Sequence, residues 1–395
     1  MKHTAALIAL IAMLAAQLVS APPPKLIREI DLSQLIPGRP GYKPSTTFAF
    51  SPDEKWLAVT FSAHQAGPHG RGNIGQSGSE KVLLVPVKGP ADQQVQIDPG
   101  LLSSGNPGWS PNSDAFFLQG LAPDAQSPRT EGTLKVWNLR GEELLHRDGV
   151  VWLNVGPLRG MFGFVDPEHL LGRADSTRKP HEFEILDLHG QVVDTWTAPK
   201  QWRVVDTSPD RHLLAVLSNE RASQTLVVDY PSKKVILSKD NPYQEIGTGQ
   251  IASFSDFFTE GGRTLCSVGS VEFQPARKDT FTQCWDVDSG KKIAQFDAFL
   301  GGAPAAASSH GSRLVLTSGV LFTKKDGLKV ASYGQRVVWD FRSGTQVAAW
   351  DMPGFSWSGI SHPPELLRPV PAAISSSGRY AAEADGVLLR IYELP

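Results

Sequence analysis

The residues able to do chemistry in this chain are few and scattered. Of the ten histidines, only His64 and His69 share one short segment, "AHQAGPHG", with Gly and Pro between them. A tetrahedral metal site needs three or four ligands at compact spacing, and no second His pair completes such a set. His181, His189, His212 and His310 fall in or beside separate predicted strands and turns. Two cysteines are present, Cys266 and Cys284. They form a disulfide if their strands place them directly opposite; otherwise both are buried thiols, and a metal site built on them lacks its remaining ligands. No Gly-x-Ser-x-Gly elbow exposes a nucleophile. The segment "GRGNIGQSG" (70–78) is rich in glycine, but no helical pattern follows to supply the dipole of a phosphate site. No run of carboxylates has calcium-loop spacing. Nothing here calls for a cofactor.

The elements that must carry these residues repeat. The chain writes "CWDVDSGKKIAQF" from Cys284 and "VWDFRSGTQVAAW" from Val338. Weaker copies are "VWNLRGEELL" (136–145), "FEILDLHGQVVDTW" (183–196), "TLVVDYPSKKVIL" (225–237), "KVLLVPVKGPADQQVQI" (81–97) and the C-terminal "LLRIYELP". Each alternates apolar and polar residues, turns tightly, and resumes, which is strand periodicity around a turn. A second motif precedes each copy: "FAFSPDEKWLAV" (48–59), "GWSPNSDAFFL" (108–118), "FVDPEHLLG" (164–172), "VDTSPDRHLLAV" (205–216), "FFTEGGRTLCSV" (257–268), "AASSHGSRLVLT" (306–317) and "AAISSSGRYAAE" (372–383). Ser-Pro-Asp or Ser-Gly turn chemistry joins two further strands in each.

The chain therefore contains seven units of four short strands, a to d, with a mean period of about 54 residues. A period of that size marks a propeller or an array. The last unit stops after strand c. At the other end "KLIREIDL" (25–32) is a strand without a unit, expected to place Leu26, Arg28 and Ile30 on one side and Ile27, Glu29 and Asp31 on the other. If the ring closes, this strand completes the seventh blade and leaves no raw edge at the seam. Six blades or an open array would leave strands unused.

The units resemble the WD40-type β-propeller family and its bacterial exported relatives over nearly the whole chain after the leader. The resemblance is carried by the Trp-Asp or Trp-Asn pairs at 137–138, 285–286 and 339–340 and by the Ser-Pro-Asp turns. The pair decays to Leu186-Asp187, Val228-Asp229, Tyr392-Glu393 and Val85-Pro86, and the Gly-His dipeptide expected in that family is absent. The resemblance implies an all-β, seven-bladed propeller of four-stranded antiparallel blades, closed by its N-terminal strand. It implies that the paired tryptophans pack between blades. It places Asp256, in "SFSDFF", on an inner strand near the central channel. A fold of this kind does not name a function.

Composition narrows the classes. The chain of 395 residues is 41% hydrophobic and 20% charged, with a formal charge of −2 and no long run of one sign. A nucleic-acid surface would need a basic stripe, so no nucleic-acid partner is expected. The opening "MKHTAALIALIAMLAAQLVSA" has Lys2 and His3, then an uncharged apolar run from Ala5 to Leu18, then small residues. It reads as a signal peptide over residues 1–21, cleaved within 16–21, leaving 22–395 as the propeller. The apolar run falls short of the roughly 20 residues of a membrane span. The expected location is secreted or periplasmic, with no integral membrane segment once the leader is removed.

Where the long connections fall bears on function. The a–b and c–d turns are short, whereas b–c connections near 62–79, 120–132, 271–280 and 321–334 and d–a connections near 98–106, 147–160, 239–250 and 351–368 are long. In an up-and-down blade these two kinds emerge on the same face. Loops held by a rigid scaffold carry binding. That face holds His64, His69, Trp152, Met161, Phe162, Phe355, Trp357 and His362, of which the aromatics either form a binding surface or seal the channel end. The expected function is a scaffold for a protein, peptide or glycan. The alternative is a propeller hydrolase of lactonase or esterase type, or an oxidoreductase, at the channel mouth.

Overall fold

The computed structural model describes residues 21–33, 42–65, 81–101, 103–104, 107–121, 132–150, 163–173, 182–198, 202–218, 224–240, 250–273, 277–298, 306–323, 329–351, 372–385 and 387–395. The strands assemble into seven antiparallel sheets arranged as a ring; five have four strands in chain order, blade two splits its inner strand into two short pieces, and the N-terminal strand forms the outer edge of blade seven. Blade four comprises Trp202–Ser208, Leu213–Ser218, Gln224–Asp229 and Lys234–Asp240; blade five comprises Gln250–Thr259, Thr264–Phe273, Arg277–Asp286 and Lys292–Ala298. Blade six comprises Ala306–Ala307, Arg313–Thr323, Lys329–Asp340 and Thr345–Asp351. The a strands of neighbouring blades touch, so they line the centre.

The two sequence motifs are two kinds of turn closure. In blades one, two, six and seven the Ser that opens the a–b turn is buried and accepts the backbone N–H of the strand that follows. Ser51 Oγ receives Trp56 N at 3.0 Å, Ser308 Oγ receives Arg313 N at 3.0 Å, and Ser375 Oγ receives Tyr380 N at 2.9 Å. The Asp of the Trp-Asp pair closes the c–d turn in the same manner. Asp286 Oδ1 accepts Ser289 N at 2.8 Å and Asp340 Oδ1 accepts Arg342 N at 2.8 Å. Asx side chains favour turns because they satisfy backbone donors locally. Gly290 and Gly344 take φ of 67° and 66° in these turns, a conformation that glycine adopts without steric cost.

Seven apolar clusters hold the ring, one at each seam between neighbouring blades. Trp137 is buried against Ala58, Val82 and Leu84 of blade one, and stacks on Phe116 at 5.5 Å. The ring is closed by Lys25–Asp31, which pairs antiparallel with Leu388–Glu393, from Lys25 opposite Glu393 to Asp31 opposite Leu388. A bulge between Leu26 and Arg28 overturns the simple alternation expected for this strand. Ile27 and Ile30 both pack on the seam with blade one, while Leu26 stays exposed. An inserted residue shifts the side chains beyond it to the other face.

Two expected loops are also corrected. In blade five the ladder continues to Phe273 opposite Arg277, and in blade six to Thr323 opposite Lys329. Segments such as "SVEF" and "KDTFTQ" are rich in strand formers and extend the pairing. Leu213–Ser218 is one of the shorter b strands of the ring, and Trp56–Gln65 of blade one is as long as Thr264–Phe273 of blade five. At about 3.3 Å per residue, the hairpins of blades five and six rise some 13–16 Å beyond the length of Leu213–Ser218, on the face of the b–c connections.

Candidate functional site

The two ends of the ring are built differently. On the face of the b–c and d–a connections, strand ends alone show the elaboration. The chain runs from Gln65 to Lys81 between strands of blade one, from Val150 to Phe164 between blades two and three, and from Asp351 to Ala372 between blades six and seven. The a–b turns need only Phe50 to Trp56, Ser208 to Leu213 or Thr259 to Thr264. His69, Trp152, Met161, Phe162, Phe355, Trp357 and His362 lie outside the described residues. His64 stands near the end of its strand, Trp56–Gln65, and its side chain is likewise outside the description.

At the opposite end, polar contacts between a–b turns tie the rim together from blade four round to blade two. Asp53 N donates to Ser113 Oγ at 2.9 Å, joining blades one and two. Ser377 N donates to Glu54 Oε1 at 2.6 Å, joining seven and one. His310 N and Gly311 N both donate to Ser376 O at 2.9 Å, joining six and seven. Gly261 N donates to Ser309 O at 2.7 Å, joining five and six. Arg211 Nη1 reaches Gly262 O at 3.3 Å, joining four and five.

Across this end lies His310. Its Nδ1 is 2.5 Å from Ser376 Oγ, and its Nε2 is 2.5 Å from Asp210 Oδ2. Ser309 Oγ also stands 3.1 Å from Nδ1. Blades four, six and seven thus meet over the turn of blade five. Gly261 makes room: a Cβ there would lie 3.5 Å from both Asp210 Oδ2 and His310 Cδ2, and its φ is 63°. The hydrogen bond to Asp210 raises His310 above the ordinary imidazole value, helped by the charges of Asp210 and Glu54. The same bond lowers the Asp210 carboxylate.

A second polar cluster is dry. Asp256 lies on the inner strand as expected, but its side chain points into the seam between blades four and five and is buried. Thr225 Oγ1 donates to its Oδ2 at 2.7 Å, Ser267 Oγ donates to its Oδ1, and Lys239 Nζ lies 3.4 Å from Oδ1 while also bonding Ser267. The Lys239 ammonium sits 4.0 Å over the ring of Trp285. That tryptophan is therefore a platform for a buried cation as well as packing. Desolvation pulls Lys239 below the ordinary lysine value, against the pull of Asp256. Half-buried Asp206, on the inner strand of blade four, accepts Phe258 N at 2.7 Å. Desolvation pushes its carboxyl up to about 7, with the charge of Asp256 adding to the shift.

Cys266 and Cys284 stand directly opposite on adjacent strands of blade five and are joined as a disulfide. Among the described residues, no group of three His, Cys, Asp or Glu side chains could hold a metal ion, and no helix is long and apolar enough to cross a membrane.

Sequence reasoning missed Lys239, Thr225 and Ser267, and it did not join Asp210, His310 and Ser376. A signal for the second group was present. Asp53, Asp210, Gly261 and His310 all take the same position of the a–b turn motif, and Ser376 stands one position before it. Equivalent positions of a ring face one another across its centre.

No family model and no curated protein matches the chain. Among solved structures it is similar to one titled "Crystal Structure of Mitotic Checkpoint Complex", with 12% identity, 94% of this chain and 92% of that chain covered, and a TM-score of 0.51. A second is the C-terminal WD40 domain of Sif2, with 12% identity, coverage of 95% and 99%, and a TM-score of 0.45. Likeness at this identity speaks for the fold alone, and that fold is the seven-bladed propeller.

Proposed function

We propose that this protein is an exported binding scaffold that captures a protein, peptide or glycan on the face of the b–c and d–a connections. The observation that carries the reading is the contrast between the two ends of the ring. One end is tied by short polar turns, and the other receives the long connections and the raised hairpins of blades five and six. A rigid scaffold with one elaborated face is how loop-borne binding is organised. Protein is the partner class favoured, because hairpins raised above the rim suit an interface of several hundred Å² per partner.

The test is capture from the exported compartment by the wild type and by a variant with 66–80 and 352–371 each replaced by a short Gly-Ser linker. A partner held by the wild type and lost by the variant, at unchanged melting temperature, supports the reading. Capture that survives both replacements overturns the choice of face. Export is tested separately by N-terminal sequencing of the expressed protein, where a start within 17–22 is expected and an intact Met1 counts against it.

A further inference from the structure

We propose that Ser376, His310 and Asp210 form a nucleophilic centre that cleaves small, uncharged carboxylic esters, at the channel end opposite the elaborated face. The three side chains come from the turns of blades seven, six and four and are in serial contact. Asp210 accepts the proton of Nε2, so the lone pair of Nδ1 faces the Ser376 hydroxyl. That is the orientation a general base needs, with the two ring nitrogens exchanged relative to the usual arrangement. Turn contacts hold the parts in place: His310 N and Gly311 N fix Ser376 O, and Glu54 fixes Ser377 N. The His310 and Asp210 side chains are 43% and 39% exposed, so a small substrate and water reach them. The charges acting on the imidazole are those of Asp210 and Glu54, and both disfavour an anionic ester beside it.

In the first half-reaction Ser376 Oγ attacks the carbonyl carbon and its proton passes to His310 Nδ1. The bond from that carbon to the leaving oxygen breaks, and the proton on Nδ1 goes to the leaving alcohol. Water then gives a proton to Nδ1 and attacks the acyl carbon. Ser376 Oγ leaves and regains the proton, so the net reaction is ester plus water to acid plus alcohol. Ser376 and His310 are the catalytic residues. Asp210 is a positioning residue that acts through Nε2.

The test is covalent labelling of the full chain with a fluorophosphonate probe, located by peptide mass mapping, beside hydrolysis of p-nitrophenyl acetate. Label on Ser376, lost in S376A and slowed on the order of 10²-fold in H310A and H310Q, is the expected result. Two histidine variants are used so that one poorly folded protein does not decide the matter. The labelling rate should rise with pH as His310 loses its proton, with the midpoint above the ordinary imidazole value and moved down in Asp210→Asn. The charges facing the imidazole are Asp210 and Glu54. No label, label on another residue, or wild-type rates in both histidine variants would overturn the proposal. An unmoved midpoint in Asp210→Asn would remove Asp210 from it.

Discussion

Lys239–Asp256 and His310–Asp210 both join one blade to another, but in opposite media. The first pair lies in a seam, with side chains 5% and 0% exposed. The second lies at the channel mouth, in reach of water. Desolvating an ion costs several kcal/mol, and attraction offsets this only when the remaining hydrogen bonds are complete. The dry pair accordingly comes with Ser267, Thr225 and the face of Trp285. At the mouth water completes the shells, and the pair is worth only the few tenths to about 1 kcal/mol usual for exposed pairs. The same kind of contact is a fixture in one place and an adjustable clasp in the other.

Breaking the dry pair should have the largest effect. Asp256→Ala leaves a cation in the seam without its carboxylate, and should lower stability by about 3–5 kcal/mol, read as a fall in the urea midpoint. A wild-type midpoint would mean that the seam lets water in. Next comes the covalent tie inside blade five, which lets the non-covalent seam be set against a bond. Replacing Cys266 and Cys284 together by Ala should cost about 3 kcal/mol, and reductant should then move the wild type but not the variant.

A smaller effect sharpens the dry side of the comparison. Arg336 and Glu383, both fully buried, occupy the seam between blades six and seven, and Tyr392 Oη donates to Glu383 Oε1 at 2.8 Å. Tyr392→Phe should cost about 1–2 kcal/mol; a loss under a few tenths would separate this seam from that of Lys239. The smallest effect belongs to the wet clasp. His310→Ala should cost less than about 1 kcal/mol, with a defined pH window. His310 is raised and Asp210 lowered. The histidine contribution is full below its unfolded value and is lost as pH rises through its folded value. The aspartate contribution is present above its unfolded value and is lost as pH falls through its folded one. The gap between wild type and variant should therefore be widest between the ordinary aspartate and imidazole values, near about pH 5, and should narrow as pH rises above the ordinary imidazole value. Melting curves across that range read it directly.

The ring was legible because its signals are local and repeated. Turn-closing Ser and Asp recur at fixed places beside alternating strands, and the unassigned strand at 25–32 matched the blade that lacked one. The bulge at Leu26 and the long hairpins were not legible, since alternation does not show where pairing stops. The polar clusters were missed for a different reason. Thr225, Lys239, Asp256 and Ser267 belong to different strands of two blades, and only the angle between those blades brings them together. Asp210 and His310 share a motif position, but that position points at a partner only once the ring is closed.

The ladder between Lys25–Asp31 and Leu388–Glu393 has a consequence for how the molecule is made. Its partners stand near opposite ends of the sequence, so closing it costs the largest loop entropy in the chain, and contacts of such separation form slowly. Six blades can pair in the order of synthesis, while the seventh waits for residues 388–393. Until then the apolar faces of Leu57 and Val59, buried in the finished seam, stay uncovered. The interval before closure is when the protein is open to aggregation and most in need of a chaperone.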